Sequence, residues 1–145
     1  MKKVLSLFLV LVMLLLLTAC GSSEEEKLRD ALNEKIDGNI TYSDEVRNDA
    51  TGHWRLARVA TTADITDYVL DYYKAYFASD DEVHVIVNFT TNTTTVVTVM
   101  SGSTLSVDVH EYVDKEEHDA KILAGGDLLA SYFVDIETGE IEKIS

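Results

Sequence analysis

The sequence predicts an α+β domain in which an antiparallel meander of four to five strands packs around one long helix, preceded by a short N-terminal helix. Two patterns support this fold class. Over residues 61–78 the apolar and aromatic side chains recur at helical spacing, and from residue 83 onward they alternate with polar ones in runs divided by short polar turns. A helix followed by half-buried strands is typical of an α+β domain whose sheet wraps the helix.

The short helix is predicted over residues 24–37. Ser23 and Glu26 have the spacing of a capping box, in which each side chain accepts a hydrogen bond from the backbone of the other residue. Gly38 follows where a helix commonly ends. The apolar positions between these signals are four residues apart: Leu28, Leu32 and Ile36.

The long helix is predicted to begin with a second capping box, Thr61 to Asp64, and to run to about Ala78. Its apolar positions are Ile65, Val69, Tyr72, Tyr73 and Tyr76. Asp64, Asp67 and Asp71 share the other side of the helix, and we interpret them as a solvent-exposed face. They could serve as an acid and base pair only if one of them were buried.

A first strand is predicted at residues 53–59, whereas residues 39–52 show no clear period. The meander consists of runs at 83–90, 95–100 and 105–113 and of a closing hairpin at 132–144. Residues 118–124 fit either a helical turn or a strand. In architecture this order is similar to the cystatin-like and NTF2-like grips, which implies a sheet that curves around the long helix.

The chain opens with the features of an export signal. Two lysines precede an apolar run over residues 4–17, which is shorter than the about 20 residues that a bilayer-spanning helix needs. Leu17-Thr18-Ala19-Cys20 follows, and it contains the only cysteine of the chain. This motif resembles the lipobox of bacterial lipoproteins, in which the cysteine carries a diacylglycerol thioether and becomes the first residue of the mature protein.

The lipobox resemblance implies three segments: a signal peptide at 1–19, an acidic tether at 20–26 and a single α+β domain at 27–145. It places the mature protein on the extracytoplasmic face of a bacterial cell membrane, held by lipid (palmitate and similar acyl chains) on Cys20. Each buried CH₂ contributes about 0.8 kcal/mol, so two or more chains anchor a protein stably. With Cys20 acylated, the chain has no thiol left for a disulfide or a nucleophile.

The charge of the chain restricts its partners. The formal net charge is −14 at pH 7. Nucleic-acid recognition depends on neutralising phosphates with Lys and Arg, so this balance argues against a nucleic-acid partner. It equally argues against a domain that lies flat on anionic lipid headgroups.

Three residues invite a metal hypothesis. His84 and His110 are predicted on the polar sides of their strands, and Asp108 shares the face of His110. If the strands were neighbours, these side chains could approach with zinc-ligand geometry. The alternative is a pair of surface histidines on a half-exposed sheet, and the sequence leaves open whether the three converge.

No other pattern points to chemistry. The acidic run from Glu116 to Asp119 lacks the spacing of a calcium loop, and we interpret it as a solvated loop. There is no nucleophile elbow and no glycine-rich phosphate loop. The sequence therefore predicts no catalytic residue, no cofactor and no metal, and lipidation at Cys20 is its one predicted site.

The segment from Tyr132 to Ile141 resembles the closing hairpin of PepSY-type domains, in which an aliphatic strand meets an acidic residue, Thr-Gly and a returning strand. That family is extracytoplasmic and is associated with binding or restraining peptidases. The leading prediction is a non-enzymatic binding domain whose partner is an envelope protein or a small ligand. A PepSY- or cystatin-like peptidase inhibitor and a small NTF2-like enzyme are the alternatives.

Overall fold

The structure is a computed structural model, and it describes residues 23–47, 54–78, 83–100, 102–113 and 123–145. In these ranges it shows two α-helices and seven β-strands. In chain order they are α1 (Glu24–Lys35), β1 (Thr41–Arg47), β2 (Trp54–Val59), α2 (Ile65–Tyr76), β3 (Val83–Asn88), β4 (Thr93–Met100), β5 (Thr104–Glu111), β6 (Leu128–Asp135) and β7 (Ile141–Lys143).

The seven strands form one sheet in the order of the chain, β1 to β7. Strands β2 and β3 are parallel, with α2 as the crossover between them, and every other neighbouring pair is antiparallel. The predicted fold class is therefore wrong. The sheet is mixed and has seven strands, and neither helix of the described residues is longer than 12 residues, which does not fit one long helix within a cystatin-like or NTF2-like grip.

Both helices pack on one side of the sheet, which we call the helix face, and they share one core with it. The core residues from α1 and α2 include Leu32, Ile36, Tyr68, Val69 and Tyr72, and those from the strands include Val59, Ile86, Val97, Val107 and Val134. The opposite side, which we call the back face, carries a smaller cluster made of Leu56, Val85, Val87, Tyr112 and Leu123. Strand β3 is thus covered on both sides, and five of its six residues are buried.

Helix α1 begins as the sequence predicts. Ser23 and Glu26 form the capping box, and the helix takes in Glu24 to Glu26, which were also assigned to the tether. The guanidinium of Arg29 lies 4.6 Å from the centre of the Tyr76 ring, and its Nε donates a hydrogen bond to a carbonyl oxygen of α2. These contacts dock α1 on α2.

Helix α2 begins later than predicted. Asp64 is the N-cap itself, and its side chain accepts a hydrogen bond from the Thr66 amide at 2.9 Å. The Thr61 hydroxyl, predicted to cap this helix, is buried and donates to the carbonyl oxygen of Ile36 at 2.6 Å. Thr61 therefore joins the end of α1 to the loop before α2, which leaves the capping position to Asp64.

The interpretation of His84 as a surface histidine is wrong, because its side chain is fully buried on the helix face (0% exposed). Its Nδ1 lies 2.9 Å from the Tyr72 hydroxyl oxygen, at hydrogen-bond distance. Its ring stacks on Phe77 at 4.1 Å and on Tyr42 at 5.7 Å, measured between ring centres. His84 is a core residue with a tyrosine partner.

The predicted closing hairpin is present as β6 and β7. Strand residues Phe133 and Glu142 pair directly, and Gly139 adopts a φ of 74°, which favours glycine. One carboxylate oxygen of Asp135 accepts the amides of Glu137 at 2.9 Å and Thr138 at 2.7 Å. Asp135 therefore fixes the turn by binding its backbone.

Tyr72→Phe is expected to lower the free energy of unfolding by about 1–3 kcal/mol, because the buried His84 loses this hydrogen-bond partner. Tyr73→Phe is the matched control. Tyr73 is on the same helix, and its hydroxyl has no hydrogen bond in the described residues. Urea unfolding of both variants measures the difference, and equal losses would contradict the role given to the Tyr72–His84 pair.

The Asp135 carboxyl should titrate below its ordinary pKa of 3.8, since the backbone amide and hydroxyl of Thr138, followed by the Glu137 amide, stabilise the anion. A lowered pKa in the folded state contributes stability above the ordinary value and loses it as the pH falls through the folded value. A ¹³C NMR titration of the Asp135 Cγ tests this. Thr138→Val removes only the hydroxyl and should raise the pKa part of the way, whereas a wild-type midpoint at or above 3.8 would refute the assignment.

Candidate ligand-binding site

A pocket of about 140 Å³ opens on the helix face at the N-terminus of α2, and we call it the α2 pocket. It lies beside the carboxyl ends of the parallel strands β2 and β3, where open α/β sheets commonly bind ligands. Its walls come from the start of α2, the end of β3, the β3–β4 turn and strands β4 to β6. The lining residues are Ala63, Asp64, Ile65, Tyr68, Asn88, Thr91, Thr93, Thr95, Val109, Ala130 and Tyr132.

Asn88, the last residue of β3, fixes the two loops at the mouth of this pocket. Its side-chain nitrogen donates to the carbonyl oxygen of Thr61 at 3.0 Å, on the loop before α2. Its side-chain oxygen accepts the amide of Thr90 at 3.0 Å, in the β3–β4 turn. Because Asn88 is buried, these hydrogen bonds are shielded from water and hold the mouth in one geometry.

Two buried residues in the pocket wall carry hydroxyl groups without a partner in the described residues. Tyr68 is 2% exposed and Thr95 is 4% exposed. Neither hydroxyl forms a hydrogen bond with any of the described residues. Both hydroxyl oxygens keep some accessible surface, so each is open to a water molecule or a ligand in the pocket.

The only ionised side chain in the pocket wall is that of Asp64. Its Oδ1 accepts the amide and the hydroxyl of Thr66, at 2.9 Å and 2.6 Å. Burial, followed by the negative charge of Asp64, raises the pKa of Tyr68 well above its ordinary value of 10. At neutral pH the Tyr68 phenol is therefore protonated, and it can either donate or accept one hydrogen bond.

The pocket can bind a compact molecule but offers few groups for catalysis. A cavity of about 150 Å³ holds a molecule of the size of benzene. Its polar groups are hydroxyls, one amide and one carboxylate, and its apolar wall comes from Ile65, Val109, Ala130 and the ring of Tyr132. No histidine, lysine or cysteine lines it. The arrangement suits reversible binding of a small polar molecule.

The hypothesised zinc ligands do not meet. His84 pairs with Val97, which pairs in turn with Val107, so His84 lies on the helix face. Asp108 and His110 lie on the back face, where the Ser131 hydroxyl donates to Asp108 at 2.5 Å and the His110 Nδ1 lies 3.1 Å from a carbonyl oxygen. In the described part of the chain no group of three or more metal-ligating side chains occurs.

The other residues singled out from the sequence do not form a common site in the described ranges. Cys20 and the acidic run 116–119 lie outside the described residues. Of the three helix aspartates, Asp67 is exposed, Asp71 forms an ion pair with Lys35 at 2.7 Å, and Asp64 lines the pocket. The solvent-face interpretation therefore missed the one aspartate of this set that lines a cavity.

A second, wider groove of about 400 Å³ lies near the β6–β7 hairpin. It is lined by Thr104, Phe133, Asp135, Glu140, Ile141 and Glu142. All of its charged groups are acidic, as expected for so acidic a chain, and none of its lining side chains is buried. Unlike the α2 pocket, it has no hydroxyl on a buried residue in its lining.

Sequence reasoning missed Tyr68 and Thr95. Tyr68 follows Ile65 by three residues and precedes Tyr72 by four, so the helical period itself contained the signal that its side chain is buried. The sequence predicts Thr95 only as the first residue of the strand run at 95–100. Nothing in the sequence alone reveals that the two hydroxyls face one cavity, because that depends on the strand order.

Comparison with known protein families, with curated proteins and with solved structures finds no match to this chain. In the ranges that the structure describes, no helix has the length and apolar character needed to cross a membrane.

Tyr68→Phe should change the free energy of unfolding by less than about 0.5 kcal/mol at neutral pH, since the lost hydroxyl has no hydrogen-bond partner in the described ranges. Above pH 10 the free energies of unfolding of the wild type and the variant should differ, because only the wild type loses the contribution of this phenol. A group whose folded pKa is raised contributes stability below its ordinary pKa and loses it as the pH rises through the folded value. Urea unfolding at neutral and alkaline pH measures both effects. Parallel losses of stability in wild type and variant at high pH would refute the assignment.

Proposed function

We propose that this protein is a lipid-anchored extracytoplasmic protein whose folded domain binds a small ligand and catalyses no reaction on it. The anchor is supported by the Leu17-Thr18-Ala19-Cys20 motif and the apolar run before it. The binding function depends on one observation above all: the buried residues Tyr68 and Thr95 line the α2 pocket, and their hydroxyls have no hydrogen bond in the described residues.

The chemistry of the pocket supports binding rather than catalysis. General acid–base or nucleophilic catalysis needs a titratable group or a nucleophile within hydrogen-bond reach of an activating base. The raised pKa of Tyr68 keeps its phenol protonated, so this residue can form a hydrogen bond with a ligand but is not a base at neutral pH. Asp64 is exposed, and its Oδ1 is occupied by capping α2.

Mass spectrometry of the protein from bacterial cells should find acyl chains and an N-terminus at residue 20 on the wild type, and neither on Cys20→Ala. The variant lacks the thiol that forms the thioether, so no acyl chain can be attached. Ser22→Ala, which leaves the motif intact, is the matched control and should carry the acyl chains. A wild-type protein without acyl chains would refute the anchor.

The binding function is tested with a library of soluble fragments of about six non-hydrogen atoms, a size that fits the cavity. The lipidated mature protein in phosphatidylcholine nanodiscs should bind some of them, detected by saturation-transfer NMR. Ala130→Leu fills the pocket wall and should abolish these signals. Ala31→Leu, on the exposed surface of α1, should preserve them. A library with no fragment sensitive to Ala130→Leu would refute ligand binding in the α2 pocket.

A further inference from the structure

We infer that the α2 pocket takes a small primary ammonium compound, with its cationic end at the Asp64 carboxylate and its short carbon skeleton against the apolar wall. The inference rests on the proposed function and names the ligand class for the same site. Three properties of the pocket support it: the sign of its charge, its hydrogen-bonding groups and its size.

The charge of the pocket favours a cation over an anion. Asp64 is its only ionised side chain, and no lysine, arginine or histidine lines it. The N-terminus of α2 would ordinarily attract an anion, but the Asp64 Oδ1 already occupies that position by accepting the Thr66 amide. An anionic ligand would therefore meet a carboxylate with no compensating cation, whereas an ammonium group would meet its counter-ion.

The second carboxylate oxygen, Oδ2, is available for that contact. Both hydrogen bonds from Thr66 go to Oδ1, and Asp64 has no other side-chain hydrogen bond in the described part of the chain. A ligand can thus bind Oδ2 while the helix cap stays intact. Charge-assisted hydrogen bonds of this kind are about twice as strong as neutral ones.

The hydroxyls of Tyr68 and Thr95 can accept the remaining hydrogen bonds of an ammonium group. Tyr68 is one helical turn after Asp64, and side chains on a helix lean toward its N-terminus, so Tyr68 leans toward Asp64. The effect of the Asp64 charge on the Tyr68 pKa agrees with this proximity. A primary ammonium group has three N–H donors and no acceptor. The Asp64 Oδ2, the Tyr68 hydroxyl and the Thr95 hydroxyl supply three acceptor oxygens without donors.

The size of the pocket limits the rest of the ligand. A volume of about 140 Å³ is close to the cavity of about 150 Å³ that holds benzene, so the ligand has roughly six non-hydrogen atoms. Ile65, Val109 and Ala130 provide an apolar wall for an aliphatic skeleton. The ring of Tyr132 adds an aromatic face, which can also attract a cation.

Three probes with the same number of non-hydrogen atoms separate the ligand classes: n-butylammonium, 1-butanol and propionate. Each is titrated at neutral pH into the lipidated mature protein in phosphatidylcholine nanodiscs, whose zwitterionic surface does not concentrate cations. Amide chemical shifts of Tyr68 and Thr95 report binding. We expect n-butylammonium to bind at least about tenfold more tightly than 1-butanol, because one charge-assisted contact contributes about 1.5–3 kcal/mol. Propionate should not saturate.

Asp64→Asn removes the charge but keeps a residue that caps helices well. It should weaken n-butylammonium about tenfold and leave 1-butanol unchanged. Asp67→Asn is the matched control, because Asp67 is an exposed aspartate of the same helix that does not line the pocket, and it should alter neither affinity.

The outcomes separate the ligand class from the proposed function. If 1-butanol or propionate binds as tightly as n-butylammonium, or if Asp64→Asn has no effect, the ammonium assignment is wrong while ligand binding in the pocket stands. If none of the three probes binds, the ammonium assignment is also wrong. The fragment library with Ala130→Leu then decides separately whether the pocket binds any ligand.

Discussion

The parallel pairing of β2 with β3 is the constraint on which the rest of the structure depends. Parallel neighbours cannot be joined by a tight hairpin, so the chain must cross the sheet, and α2 is that crossover. The crossover turns α2 so that its first residues lie beside the ends of both strands. The position of the Asp64 cap, the Asn88 hydrogen bonds and the cavity between them therefore all depend on the parallel pairing of β2 with β3.

Two tyrosines one helical turn apart on α2 have different roles because of this placement. Tyr72 lies over the interior of β3, where its hydroxyl is at hydrogen-bond distance from the Nδ1 of the buried His84. Tyr68 lies toward the strand ends, where its hydroxyl reaches the pocket and has no hydrogen bond in the part of the chain that the structure describes. A tyrosine therefore stabilises the core at position 72, whereas at position 68 it faces the candidate ligand.

Local signals in the sequence predicted the α1 capping box, strand β2 and the closing hairpin, since each depends on residues close together in the chain. These local signals do not predict which strands pair with each other in the sheet. A period of two predicts a strand with two different faces, but β3 is buried on both, and the polar His84 was consequently assigned to the solvent side. Strand β1 was not predicted, because its residues show no clear period. The pocket was not predicted either, because it brings residues of α2 close to residues of β4 to β6, and this proximity depends on the order of the strands.

The net charge of the chain and the size of the pocket both bear on how the proposed ligand would bind. A chain with a net charge of −14 attracts small cations to its surface, which favours delivery of an ammonium compound over an anion. A ligand of about six non-hydrogen atoms can gain at most about 9 kcal/mol, which limits its affinity to the sub-micromolar range at best. A lipid-held domain with such a pocket would bind and release its ligand rapidly, so it suits reversible sensing or buffering at the envelope better than tight capture.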